Sequence, residues 1–276
     1  MYSSAWANHI ADSPINDAIA NWHAKQPERE QDCATPSSML DCPRVVWLKY
    51  RKNVKPPIPL GWGKLQRMLH GRVFENTIAE QLKEDGKLLW HWRDDTPNQS
   101  VKFEMGKDLK RVCGTPDLLL KIDGKVLISD AKTSMGKSFA YVPLTAREAF
   151  EDYMWFKYQL QVETYYMLAQ KNPEWFKENK LPLPELCNLF SYALDDGVVR
   201  RDFTWKPTQQ TAAKILYYVT RWNKAYASED MPDCTCQEFD GTPMKFCYYQ
   251  TEQVATKTGY KLGTRCCGGE LYETTK

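Results

Sequence analysis

The chain has 276 residues, 42% of them hydrophobic, which is enough to bury the core of one large domain. No apolar run approaches the ~18 to 20 residues of a membrane span, and a net charge of +2 excludes a chain driven onto nucleic acid by bulk charge alone. Residues 1–22 lack the charged-then-apolar layout of a signal peptide, so the expectation is a soluble, intracellular protein.

Residues 1–35 read as a polar arm, 36–230 as the core, and 231–276 as a cysteine-rich tail packing on that core. Thr35-Pro36-Ser37-Ser38 predicts a turn and cap opening a helix through Tyr50. The stretch 49–55 packs four cations and a tyrosine into seven positions, a strip able to meet phosphates or simply a solvated loop. Prolines at 56, 57 and 59 and glycines at 61 and 63 mark a loop. A long helix is expected over 64–83, stopped by Asp85-Gly86. Short strands follow near 88–92 and 100–104, then a hairpin over 116–129. A helix over 153–170, strands over 189–205 around Asp196-Gly197, and a helix over 207–227 complete the core. Helices flanking a mixed central sheet give an α/β or α+β domain.

The hairpin carries the chemistry. Two β-rich runs flank Asp123-Gly124, a type I′ turn signal. A two-residue turn sets Ile122 opposite Lys125, and counting outward puts Asp117 opposite Asp130. Their Cβ atoms should then lie about 4.5–5.5 Å apart on one face. Lys132, two residues beyond Asp130, points the same way. Two carboxylates this close repel unless a cation sits between them, and hard oxygen donors suit Mg²⁺ or Mn²⁺. The alternative is an exposed hairpin with ordinary surface charges. Strands apolar on both faces, with charge gathered at the open end, count against it.

Along the preceding helix, Met68, Gly71, Glu75, Ile78 and Leu82 form one stripe. Glu75 on a mainly apolar face needs compensation, from a metal or from a hidden partner such as Arg72. Gly71 permits a close approach. After the hairpin, Gln161 and Tyr165 are four apart and share a helix face, with Gln159 as the rival glutamine.

Pro116-Asp117 followed by Asp130-Ala131-Lys132 resembles the motif of the PD-(D/E)XK nucleases. Gly71-Arg72-Val73-Phe74-Glu75 and Gln161 to Tyr165 are similar to the flanking motifs of its RecB-like exonuclease branch, in the same order. That resemblance implies a restriction-endonuclease-like core and a Mg²⁺- or Mn²⁺-dependent DNA exonuclease. Asp117, Asp130, Glu75 and the Ala131 carbonyl would hold metal. Lys132 would steady the attacking water, and Gln161 and Tyr165 would shape the site. It also implies work in recombination, repair or phage DNA processing, beside a helicase, single-strand-binding or recombination protein. A non-catalytic nucleic-acid-binding module, or a subunit inactive without its helicase partner, is the alternative.

Nine cysteines are many for an intracellular chain, and five fall at positions 234, 236, 247, 266 and 267. Ser37-Ser38-Met39-Leu40-Asp41-Cys42-Pro43-Arg44 resembles the opening segment of RecB-like domains. In the CRISPR-associated and AddB-type members one such cysteine joins three C-terminal ones on a four-iron four-sulfur cluster. Carried across, the ligands are Cys42, Cys234, Cys236 and Cys247, although the tail spacing departs from the family's and Cys33 competes with Cys42. Zinc would suit the same thiolates. Cys113 and Cys187 read as core residues. Residues 131–138 resemble a Walker A loop, but Ala131 replaces its first glycine and no helix follows convincingly, so ATP binding is rejected. Lys137 remains a candidate phosphate contact. His9, His23, His70 and His91 show no metal spacing.

Overall fold

The computed structural model describes residues 31–54, 62–91, 102–134, 153–193, 199–233, 253–256 and 259–262. In chain order its elements are α1 (Pro43–Val46), α2 (Trp62–Glu84), β1 (Leu88–His91), β2 (Phe103–Met105), β3 (Val112–Gly114), β4 (Leu118–Ile122) and β5 (Lys125–Ser134). There follow α3 (Tyr153–Lys171), α4 (Pro173–Glu178), β6 (Leu186–Ala193), β7 (Val199–Trp205), α5 (Gln209–Ala227), β8 (Gln253–Thr256) and β9 (Gly259–Leu262).

The turn at Asp123-Gly124 organises the sheet. Both residues are left-handed, with φ of 49° and 77°, as the tight turn requires. Ile122 pairs with Lys125 and Leu118 with Ser129, the register expected from the sequence. Around this hairpin lies a five-stranded mixed sheet in the order β1-β4-β5-β6-β7. Every neighbouring pair is antiparallel except β5–β6, which is parallel over eight residue pairs. A parallel pair needs a long crossover, and α3 and α4 lie within that connection.

Strand alternation divides the core into two layers. Leu119, Val126 and Ile128 face α3 and α5, packing with Leu160, Leu168, Ile215, Val219 and Trp222. Leu118, Leu120 and Leu127 face α2, packing with Ile78 and Ala79. An α+β core with helices on both sides of a mixed sheet results, as anticipated. Among the described residues no helix is long and apolar enough to cross a membrane.

Several local expectations need correcting. The helix expected to open at 35 starts only at Pro43. Ser38 Oγ accepts from the Thr35 amide and hydroxyl, closing a turn instead. The proline also holds Cys42 out of the helical region, at ψ 137°. The helix then widens into a π turn over Trp47–Arg51. The strand near 100–104 leaves the main sheet and pairs with β3. The strand expected at 189 begins at Leu186, and its turn at Asp196-Gly197 lies outside the described residues. Three features went unpredicted: β3, α4, and the β8–β9 hairpin in the tail.

The core also begins earlier than residue 36. Cys33 and Ala34 are fully buried, and Ala34 accepts from the Cys113 amide at 2.9 Å. Cys113 is buried as expected, but it is joined to Cys33 in a disulfide, not simply packed. The Walker-like run from Ala131 continues β5 through Ser134. Lys137 lies outside the described residues.

Leu118 is completely buried between hairpin and α2. Its replacement by alanine should cost about 2–5 kcal/mol in urea unfolding, the range for emptied core leucine sites. A smaller loss would mean the hairpin is not the centre of the packing.

Candidate active site

Asp117 is the last residue before β4, and Asp130 lies within β5. Asp130 is fully buried, with Lys132 Nζ 2.5 Å from its Oδ2. Asp117 lies close enough for the charge of Asp130 to act on its carboxyl. Pairing across the hairpin therefore delivers what the register demanded: two acids and a lysine on the α3 side of the sheet.

Helix α3 closes the site from above. Gln161 Nε2 donates to Asp130 Oδ1 at 3.2 Å and to the Tyr165 hydroxyl oxygen at 3.2 Å. Gln159, the rival, donates instead to Glu163 at 3.0 Å, one turn along the same helix. Glu163 is itself buried and holds α3 to β7 and α5, accepting from Trp205 Nε1 at 2.7 Å and from the Thr211 hydroxyl. One face of α3 thus serves the acids while another anchors the helix.

Two glycines permit the approach of the flanking elements. A Cβ on Gly114 would stand 2.7 Å from Pro36 Cδ and 3.2 Å from the Tyr165 ring. On Gly71 it would stand 3.3 Å from Thr133 Oγ1. The close approach expected at Gly71 is thus made by β5 itself.

Glu75 finds a partner no spacing rule suggested. His91, at the end of β1, sets Nε2 3.4 Å from Glu75 Oε1, and both side chains are largely enclosed. The Arg72 side chain, the partner weighed from sequence, lies outside the described residues. Tyr158 was also passed over. Its ring lies 4.9 Å below the Lys132 ammonium. Its signal was available, since Tyr158, Gln161 and Tyr165 recur at helical spacing on one stripe. Ala131 stands between the two charged residues with its methyl in the α2 layer.

The charge balance is uneven. Burial, then the charge of Asp130 and a hydrogen bond with it, push the Asp117 carboxyl well above the usual range, and Glu75 adds to this. Burial works against the Lys132 ammonium, but Asp130 and Asp117 outweigh it and hold its pKa up. Burial and the two aspartates also push the Tyr165 phenol up, so it stays a neutral donor and acceptor. Among the described residues no three His, Cys, Asp or Glu side chains form a ready metal cage.

Of the thiolates, Cys42 is buried outside the disulfide, directly before α1. Cys33, its competitor, is committed to Cys113. Arg44 Nε donates to the Pro232 carbonyl at 2.9 Å, and Trp47 Nε1 to that of Ser228 at 3.1 Å. The chain is therefore held beside α1 up to Asp233, one residue short of Cys234. Cys234, Cys236 and Cys247 lie outside the described residues.

What fold and site define together is an α+β protein with an acid–lysine cluster at the open end of its central hairpin. No family model matches the chain, and no curated protein matches it. Among solved structures it is similar to the crystal structure of SSO0001. Identity is 15%, the match covers 79% of this chain and 85% of that one, and the TM-score is 0.45. A likeness that loose carries nothing about function.

Asp117 gives a stability test on metal-free protein. Its folded pKa is raised, so its contribution is complete below the unfolded value and lost as pH rises through the folded one. Asp117→Asn, neutral at every pH, should therefore melt at a higher temperature than wild type near neutral pH. The gain should vanish as pH falls toward ~4, the ordinary aspartate value. A gain independent of pH would show that charge is not its source.

Proposed function

We propose that the protein is a metal-dependent DNA nuclease of the PD-(D/E)XK type, in the RecB-like exonuclease branch. The observation that carries the reading is the joining of Asp117, Asp130 and Lys132 on one hairpin to Gln161 and Tyr165 on α3. A surface hairpin would leave these charges in water. Here Asp130 is sealed in, and burial and the neighbouring charge of Asp130 hold Asp117 above its normal pKa.

Those residues fit a divalent cation. Asp117 and Asp130 offer hard oxygens, Glu75 lies close enough to influence Asp117 electrostatically, and among the described residues the one lysine against them, Lys132, cannot neutralise three acids. The Ala131 carbonyl is the further donor this reading adds. What Mg²⁺ or Mn²⁺ supplies in such a site is a Lewis acid that activates water and neutralises the phosphate. Lys132, held charged by both aspartates and backed by the Tyr158 ring, orients the attacking water and meets charge growing on the phosphate. Gln161 fixes the Asp130 carboxylate so that its remaining oxygen keeps one direction. Tyr165 in turn fixes Gln161.

On the same reading, Cys42, Cys234, Cys236 and Cys247 hold a four-iron four-sulfur cluster, or zinc on the same thiolates. The observation in favour is the pinning of Pro232 and Asp233 to Arg44, two residues after Cys42. The centre would staple tail to core. The reading places the protein inside the cell, acting on DNA with a helicase, single-strand-binding or recombination protein. The Cys33–Cys113 bond, buried at both ends, would be shielded there from soluble reductants.

Incubating pure protein with end-labelled linear DNA and closed circular DNA tests this. Linear DNA should be degraded with Mg²⁺ or Mn²⁺ and spared with EDTA, while circles survive. Asp130→Ala and Lys132→Ala should each slow degradation by at least about a hundredfold with the circular-dichroism spectrum retained. Cleavage of circles would change the reading to an endonuclease. Intact DNA in every metal would favour a binding module or partner subunit. The visible spectrum of anaerobically purified protein separates cluster from zinc, since only the cluster absorbs there.

A further inference from the structure

His91 comes to Glu75 by geometry that spacing rules do not describe. From Glu75 to Gly86 the helix and its end advance roughly 16 Å at helical rise, and the chain reverses at the left-handed Gly86. From Gly86 to His91 an extended chain returns about the same distance. The two side chains therefore end level with one another. β1 is itself hydrogen-bonded to β4, and His91 pairs with Leu118, the residue after Asp117. The imidazole is thus mounted on the strand beside the acid cluster and is itself buried.

The mounting matters because Glu75 is long and approaches a cluster of like-charged groups. A glutamate on a helix has three side-chain torsions, and nearby negative charge drives it away from the cluster. A carboxylate only accepts hydrogen bonds, so the 3.4 Å contact requires that Nε2 of His91 carry the proton and donate it to Oε1. A donor fixed on a strand holds one oxygen and so limits where the carboxylate can swing. Outer residues that orient ligands in this way govern metal affinity.

We propose that His91 is a positioning residue that holds the Glu75 carboxylate toward Asp117 and Asp130 and so sets the affinity of the acid cluster for a divalent cation. This rests on the reading of that cluster as a cation site. A buried histidine satisfied by a convenient acid would do none of this, and the two differ in what a cation titration reads.

The experiment is calorimetric titration of Mn²⁺ into wild type, His91→Ala, His91→Gln, Glu75→Ala and the Glu75→Ala/His91→Ala double variant, with melting curves for each. His91→Ala should weaken Mn²⁺ binding about tenfold or more, and His91→Gln, which keeps an N–H donor, should recover most of it. In DNA degradation the KM for DNA should hold, while the lost rate returns as Mn²⁺ is raised. Adding His91→Ala to Glu75→Ala should change Mn²⁺ affinity no further. If His91→Ala does not fold, His91→Phe keeps the ring's bulk without the donor and takes its place. Unchanged Mn²⁺ affinity, additive losses, or equal losses in the Ala and Gln variants would overturn the assignment while leaving the cation site standing. No Mn²⁺ binding by wild type would instead sink the cation reading, and the role of His91 with it.

Discussion

Everything at the site depends on one constraint, the register of the β4–β5 hairpin. A strand exposes alternate residues to opposite faces, so a slip of one residue would send Asp130 and Lys132 into the leucine layer against α2. The slip is prevented twice. Asp123 and Gly124 adopt left-handed conformations that close the turn in one way. Leucines 118, 120 and 127 must also meet α2 while Leu119, Val126 and Ile128 meet α3 and α5. The acids thus owe their position to apolar packing on both sides.

That packing imposes a cost where the acids gather. Asp130 is shut off from water, Asp117 keeps its proton above the normal range, and among the described residues Lys132 answers them with a full charge. Folding for stability alone would place a neutral residue at 117. The cluster is held in place by neighbours that are each satisfied elsewhere. Gln161 is braced by Tyr165, Lys132 lies over Tyr158, and α3 is anchored from its other face through Glu163 to Trp205 and Thr211. Rigid support around an electrostatically unbalanced centre is the expected form of a functional site.

The two layers also explain how distant segments share this centre. α2 carries Glu75 from one side of the sheet and α3 carries Gln161 from the other. They converge where β4 begins and β5 carries its charged residues. The same economy holds at α1, where the proline after Cys42 sets the start of the helix and Arg44 and Trp47 capture the chain leaving α5.

Much of this was legible in the sequence because the interactions are local. The hairpin register, the shared face of Asp117, Asp130 and Lys132, the α2 stripe with Gly71 and the pairing of Gln161 with Tyr165 all follow from periods of two or 3.6 residues. Tyr158 obeys the same period and could have been read with them. Other features needed the tertiary structure, because their partners are separated by turns and crossovers whose direction no period encodes. His91 reaches Glu75 only through the reversal at Gly86. Cys33 finds Cys113 only because Ala34 bridges to β3. The choice of Gln161 over Gln159 depends on which side of α3 faces β5. Spacing along the chain thus determined which side chains share a face, and packing in three dimensions decided what each face meets.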